Sequence, residues 1–476
     1  MHRRFLVPMP RHLALKEEYH DLSDGSCFSA PEEFREETLR LAKRYWNIAP
    51  RFRAVPPRRE GREYAVTIDR GGVSFRIAGR EELLGAFKTL RQLAESRRGV
   101  VTSGQFIIPC GEIRDEPGLS FRGIHLCYFR ETEDWQLEKL LRLAAYYKFN
   151  YAVIEFWGTF PFAKHPEFQW ENKHGNREFL RHLIALSREL GITLIPQFNC
   201  FGHAAGSSIS NGRHVVLDRF PQFAPLFEPD GWTWCLSNPH VREILREMLE
   251  EIFDLFGDVP YFHLGFDEAF NAGTCAQCAG ADYHRLLLEH LLFLHGVLAE
   301  HRCRAIIWHD MFLELDREKW GDCVLLDRNT PNPHEILDRL PRDIVLAVWH
   351  YHHPEEPPLG ELCWPTAAHF AAKGFPVLLC PCFDERGIIT MAEQAADTGL
   401  PGMLQTTWVS YSGTSRMRQL FFVSANKMWN RAWQPERGFA DEFGVVNTHL
   451  RQIVADMGLR EYEQTGSIYT GYSFYP

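Results

Sequence analysis

Apolar positions recur with two different periods along this chain. Residues 64–68 (Tyr-Ala-Val-Thr-Ile) and 73–77 (Val-Ser-Phe-Arg-Ile) are β-rich runs flanking Asp69-Arg70-Gly71-Gly72, a pattern that predicts a hairpin. Leu83, Leu84, Phe87, Leu90 and Leu93 then follow helical spacing over residues 81–95. Residues 1–115 therefore predict a small α+β domain, joined to the rest by the polar stretch 111–118.

From residue 121 onward, short apolar runs alternate with amphipathic ones. Strands are predicted over 121–129, 151–157, 193–198, 305–308, 344–349, 376–380 and 403–408, and over an apolar run beginning at Tyr261 between Pro260 and Gly265. Leu137, Leu140, Leu141, Ala144 and Ala145 stripe a helix that Asn150 can close in a left-handed conformation. A second helix opens at Asn176 and closes at Gly191. A third has Asn238 as N-cap, Pro239 at its first position and Gly257 at its end. Residues 283–300 supply a leucine-rich fourth. Strand and helix repeated about eight times predict an α/β fold, a (β/α)8 TIM barrel preceded by the α+β domain. The expected domains are residues 1–115, a barrel over 116–432, and an extension over 433–476 that packs on the barrel or on a partner subunit, which leaves a homodimer open.

Composition narrows the class. With 476 residues, 45% hydrophobic and 24% charged, the chain has material for a large core. The 62 acidic against 52 basic side chains leave a net charge of -10, which argues against a nucleic-acid partner. The first ten residues lack an apolar signal core, and no run approaches the roughly 18 apolar residues of a membrane span. Twelve cysteines then read as reduced thiols of a cytoplasmic protein. Cys275 and Cys278 form a Cys-x-x-Cys pair with no second pair at matching spacing, so packed thiols are expected ahead of a structural zinc on those two, and no metal or cofactor is expected in the reaction.

Barrels place their chemistry at the C-terminal edges of their strands. Those edges collect Glu155 and Trp157, His203, Asp267 and Glu268, Trp308 and Asp310, Trp349, Phe383 and Asp384, and Trp408, with Arg122 at the start of the first strand. Indole faces pack on the C–H face of a pyranose, while carboxylates and a guanidinium grip hydroxyls. A carbohydrate ligand is the expectation.

The pair Asp267-Glu268 carries the most information. Successive strand residues point to opposite faces, so both acids address one pocket only if the strand has ended or bulged, which Gly265 permits. Ordinary glycosidases hold two carboxylates on either side of the scissile bond, roughly 5 to 9.5 Å apart. Sequence neighbours do not easily straddle a bond. They better suit one proton donor beside one residue that orients a group of the substrate itself.

His263-Leu264-Gly265-Phe266-Asp267-Glu268 resembles the His-x-Gly-x-Asp-Glu signature of family 20 glycoside hydrolases, the β-N-acetylhexosaminidases. Phe121-Arg122-Gly123 resembles that family's first-strand arginine motif, and Phe201-Gly202-His203 its Gly-His. Trp308, Trp349 and Trp408 resemble its later tryptophans. Residues 155–161 and 197–203 look closest to the hexosaminidase D type. The resemblance implies an exo-acting, retaining, metal-independent enzyme on an amino-sugar glycoside. Glu268 would be its general acid/base, and Asp267 the residue that holds the 2-acetamido N–H while the acetamido oxygen attacks the anomeric carbon. Arg122 would bind sugar hydroxyls, and the indoles would wall the acetamido pocket. Four positions depart from the family: Phe266 replaces a glycine, Asn199 an aspartate, Ser410 a glutamate, and Phe383 stands where a tyrosine donates to the acetamido oxygen.

Three other readings stay open. One is a sugar-binding protein on a degenerate barrel. Another is a glycosidase using Glu155 or Asp384 as nucleophile. The third is a zinc hydrolase built on His309, His350, His352 and His353, against which Trp308 and His309 must face opposite ways.

Overall fold

The computed structural model describes residues 6–58, 61–95, 106–171, 175–204, 214–229, 231–320, 333–351, 364–408, 415–435 and 439–459. These fall into two compact units, one from Met1–Ser120, Arg142–Phe149 and Gly413–Pro476, the other from Phe121–Leu141 and Asn150–Ser412. Boundaries drawn in chain order at 115 and 432 differ from this grouping. The helices Ser415–Trp429 and Phe439–Asp456 belong with the first unit, where Trp429 sits in the same core as Leu83, Phe87 and Leu90.

The first unit holds a six-stranded sheet of β1 (His12–Leu22), β2 (Cys27–Ala30), β3 (Arg51–Ala54), β4 (Tyr64–Asp69), β5 (Gly72–Arg76) and β6 (Phe106–Asp115), in the order β1-β6-β4-β5-β2-β3. β4 and β5 form the expected hairpin, and the expected helix spans Arg80–Glu95. Phe87 of that helix stacks on Phe75 of β5 at 4.9 Å. Residues 111–115 are not a linker but the end of β6, with Ile113 and Asp115 buried. Asp115 accepts from Lys148 Nζ at 3.0 Å, from the Tyr64 hydroxyl at 2.8 Å and from the Trp429 indole at 2.8 Å.

The second unit is a closed parallel barrel of β7 (Phe121–Tyr128), β8 (Tyr151–Phe156), β9 (Thr193–Gln197), β10 (Tyr261–His263), β11 (Arg304–Trp308), β12 (Val345–His350), β13 (Val377–Pro381) and β14 (Gly402–Gln405). β14 pairs with β7 to close it. The strands are buried on both faces, which is why they read as continuous apolar runs. Inside lie Phe121, Val153, Ile195, Ile306, Val345, Leu378 and Leu404.

The helices form where the capping chemistry points. Asn176 accepts from the amides of Glu178 and Phe179 ahead of Arg177–Leu190, and Gly191 ends that helix at φ 74°. Asn238 caps Pro239–Phe256, which Gly257 ends at φ 71°. Asn150 is the expected left-handed terminator of Asp134–Tyr146, but Lys148 takes that conformation at φ 63°. Asn150 instead pairs with the Arg122 backbone through its own N–H and side-chain oxygen.

Candidate active site

β10 is only three residues long, and the turn after it makes the site. Gly265, Phe266 and Glu268 all have positive φ, at 75°, 82° and 48°. This left-handed path breaks strand alternation, so Asp267 and Glu268 can address the same side. Side-chain acceptors replace lost ladder bonds: the Gly265 amide donates to His263 Nδ1 at 3.1 Å, and the Glu268 amide donates to Asp310 Oδ2 at 2.9 Å. A non-glycine residue in this region costs roughly 1–2 kcal/mol. Phe266 offsets that by burying its ring against Phe201, 5.2 Å away. Gly202 makes room for the turn, since a Cβ there would stand 1.9 Å from the Asp267 carbonyl oxygen.

His203 joins the two acids. Its Nε2 lies 3.4 Å from Asp267 Oδ2 and 3.2 Å from Glu268 Oε2. Burial alone would lower its pKa, but the two carboxylates outweigh that and raise it to about 10. His203 is therefore an imidazolium at neutral pH. Burial pushes the Asp267 carboxyl up, His203 pulls it down, and Glu268 and Glu155 add to the rise. Asp267 Oδ1 is buried with no hydrogen-bond partner, an acceptor waiting for an N–H. The Glu268 side chain keeps 34% of its surface exposed, which leaves it open to an incoming group.

Asp310 braces the turn. Besides the Glu268 amide, it accepts the Trp349 indole N–H at 3.1 Å. Burial, then the charge of Asp267, raises its pKa well above the ordinary carboxylate range. Trp308 packs on His263 at 4.4 Å and on Trp408 at 5.5 Å. The indole N–H of Trp308 is buried without an acceptor. A ligand rich in oxygen would satisfy it.

Other expected residues are placed differently. Cys127, Glu155, Gln197 and His263 share one level of the barrel by strand register. Arg122 lies five residues below that level, roughly 16 Å toward the opposite end at 3.3 Å per residue. It cannot serve a site beyond His263, and its assignment to sugar binding is corrected. Glu155 is buried among His125 Nε2 at 2.9 Å, Asn199 Nδ2 at 2.9 Å and the Cys127 thiol at 3.7 Å. It organises the floor of the barrel and has no open face for an anomeric carbon. Asp384 caps the helix Glu385–Thr398, accepting from Arg386 and Gly387. Phe383 is partly exposed just beyond β13. His309 is buried and His350 partly buried, both with pKa values lowered by desolvation, and neither belongs to a group able to hold an ion among the described residues. His352, His353, Ser410 and residues 469–475 lie outside the described residues.

Sequence reasoning does not single out Arg130, which follows the C-terminal end of β7 with its guanidinium 5.3 Å from the Trp170 ring, nor Trp232 or Tyr351. Trp232 packs on His203 at 4.2 Å and donates to the Glu268 carbonyl at 2.7 Å. Tyr351 stacks on Trp349 at 5.0 Å, and burial, with Cys382, Cys380 and Asp267, raises its hydroxyl's pKa. It supplies a partly buried phenol within electrostatic reach of Asp267.

Comparison with known proteins agrees with this geometry. Residues 160–358 match the model of the glycosyl hydrolase family 20 catalytic domain. A β-hexosaminidase of Akkermansia muciniphila is 26% identical over 244 residues, 45% of this chain and 46% of that protein. A β-hexosaminidase A of Caenorhabditis briggsae is 23% identical over 350 residues, 66% of this chain and 55% of that protein. The chain thus matches about half the length of these curated relatives. Among solved structures, the β-N-acetylhexosaminidase of Bacteroides fragilis superposes with a TM-score of 0.69 at 17% identity, covering 95% of this chain and 96% of that one. The exo-β-N-acetylglucosaminidase of Vibrio harveyi, solved with N-acetylglucosamine, gives 0.67 at 16% identity, covering 100% and 79%.

Proposed function

We propose that this chain, which belongs to glycosyl hydrolase family 20, is an exo-acting, retaining β-N-acetylhexosaminidase. The observation that carries this reading is the single nitrogen of His203 touching both carboxylates while Asp267 Oδ1 stays unpartnered. Asp267 accepts the substrate's acetamido N–H through that oxygen. The amide oxygen is thereby turned onto the anomeric carbon and closes an oxazolinium ring. Glu268 gives its proton to the departing glycosidic oxygen, then takes one from the water that reopens the ring. Imidazolium His203 offsets the negative charge that two adjacent carboxylates concentrate.

Tyr351 takes the place of the hydroxyl donor that Phe383 cannot be. Its partly buried ring packs with Trp349 and Trp408 on the same rim. Glu155 and Asp384 are engaged elsewhere, which disfavours a different glycosidase nucleophile. We also place the protein in the cytoplasm, a reading supported by ten unpaired cysteines among the described residues. The hexosaminidase D type remains part of this proposal.

Release of nitrophenol from β-N-acetylhexosaminides tests the assignment. Wild type should turn over a gluco or galacto substrate and be strongly inhibited by a thiazoline mimic of the bicyclic intermediate. Calorimetric binding of N-acetylhexosamine with no turnover of any β-N-acetylhexosaminide would favour a binding protein instead.

A further inference from the structure

Outside the acid pair, one buried cluster has no part in the reaction. Glu228, Cys235, Cys275 and Cys278 are all buried, and one ligand atom from each lies within 4.8 Å of the others. Cys235 Sγ is 3.4 Å from Cys275 Sγ and 3.8 Å from Cys278 Sγ, and Cys278 Sγ is 3.4 Å from Glu228 Oε1. A tetrahedral zinc with Zn–S bonds of about 2.3 Å has S···S edges of roughly 3.8 Å. The sulfurs are too far apart for a disulfide, which needs about 2.05 Å. From this geometry we propose that Cys235, Cys275, Cys278 and Glu228 bind one structural zinc ion.

The surroundings suit a cation. Among the described residues, the partners of Glu228 are neutral: the amides of Gly273 at 3.0 Å and Cys275 at 2.7 Å, and the Cys278 thiol. A buried carboxylate is costly without a countercharge. The Tyr283 hydroxyl is buried and unpartnered, and Glu228, Cys278, Cys235 and Cys275 all act on it electrostatically. Coordinated thiolates and carboxylates take such donors, which orient them.

Placement gives the ion a purpose. Glu228 lies inside, and Cys235 just outside, a short hairpin closed by the Phe227–Trp234 bridge, and Cys275 and Cys278 lie just beyond the acid pair. The hairpin carries Trp232, which packs on His203 and donates to the Glu268 carbonyl. Zinc would staple the segment holding the proton donor to the segment that props it. It would touch neither carboxylate of the reaction.

The test is elemental analysis of the full chain expressed with zinc and purified without chelator. About one zinc per chain is expected for four-ligand structural sites, and cobalt substitution should give thiolate-to-cobalt charge-transfer absorption. Cys235→Ser and Cys278→Ser should lose the metal. Because these variants can also misfold, Glu228→Gln and Tyr283→Phe serve as milder probes. Glu228→Gln should release zinc to a chromogenic chelator at roughly 10- to 100-fold lower chelator concentration than wild type. A metal-free wild type, a Cys235–Cys275 disulfide found by mass spectrometry, or full zinc retention in folded Cys235→Ser would each overturn the assignment.

Discussion

One imidazole nitrogen within 3.4 Å of two carboxylates makes His203 the residue whose loss is most diagnostic. Its pKa of about 10 stands above the ordinary 6.5. The imidazolium therefore contributes stability fully below about pH 6.5, and the contribution is lost as pH climbs through 10. His203→Gln should flatten that alkaline decline in a series of urea melts between those values; an unchanged slope would mean the histidine is neutral. In the proposed mechanism Glu268→Gln removes only proton transfer. Turnover of a substrate with a poor leaving group should fall roughly 10²- to 10⁴-fold, and far less for a dinitrophenyl glycoside, whose departure needs no proton. Equal losses on both substrates would deny Glu268 the role of acid. At this scale the sequence is partly legible. The acid pair and the tryptophans can be read from residue type, but Arg122 cannot be told from Arg130 without the register, because one opens and the other closes the same apolar run.

The decisive element is the turn after β10, where three positive-φ residues replace an extended strand. Gly265 announces it in the sequence; Phe266 and Glu268 give no sign, because only tertiary packing holds such residues there. Phe266→Gly would relieve roughly 1–2 kcal/mol of backbone strain but give up a buried ring worth about 3–5 kcal/mol. The variant should be less stable by about 1–4 kcal/mol in denaturant titration, and a gain in stability would mean the strain dominates. Gly202→Ala should act on the same turn from the other side. Its methyl meets the Asp267 carbonyl, so kcat should fall even where the fold survives at a cost of about 1–3 kcal/mol. Helix ends, by contrast, are written locally in Asn176, Asn238, Gly191 and Gly257, and the structure places them there.

For the molecule as a whole, eight apolar runs with helices between them are enough to indicate a barrel. The first unit's sheet is only half legible. β1 pairs with β6 from far along the chain, His12 opposite Arg114, and its burial alternates too irregularly to mark it as a strand. That unit also hides the Lys148–Asp115 pair, with side chains 2% and 0% exposed. Lys148→Met would leave the Asp115 carboxylate buried and unpaired, at a cost of about 3–5 kcal/mol. The urea midpoint should drop accordingly, and an unshifted midpoint would show the pair to be dispensable. The proposed mechanism places catalysis in the second unit, with the substrate's own amide held by Asp267 and attacking the anomeric carbon. Turnover of nitrophenyl glycosides bearing acetamido, fluoroacetamido, difluoroacetamido and trifluoroacetamido groups tests this directly. Each fluorine weakens the amide oxygen as a nucleophile, so kcat should fall steeply along the series; a rate indifferent to fluorination would contradict the mechanism.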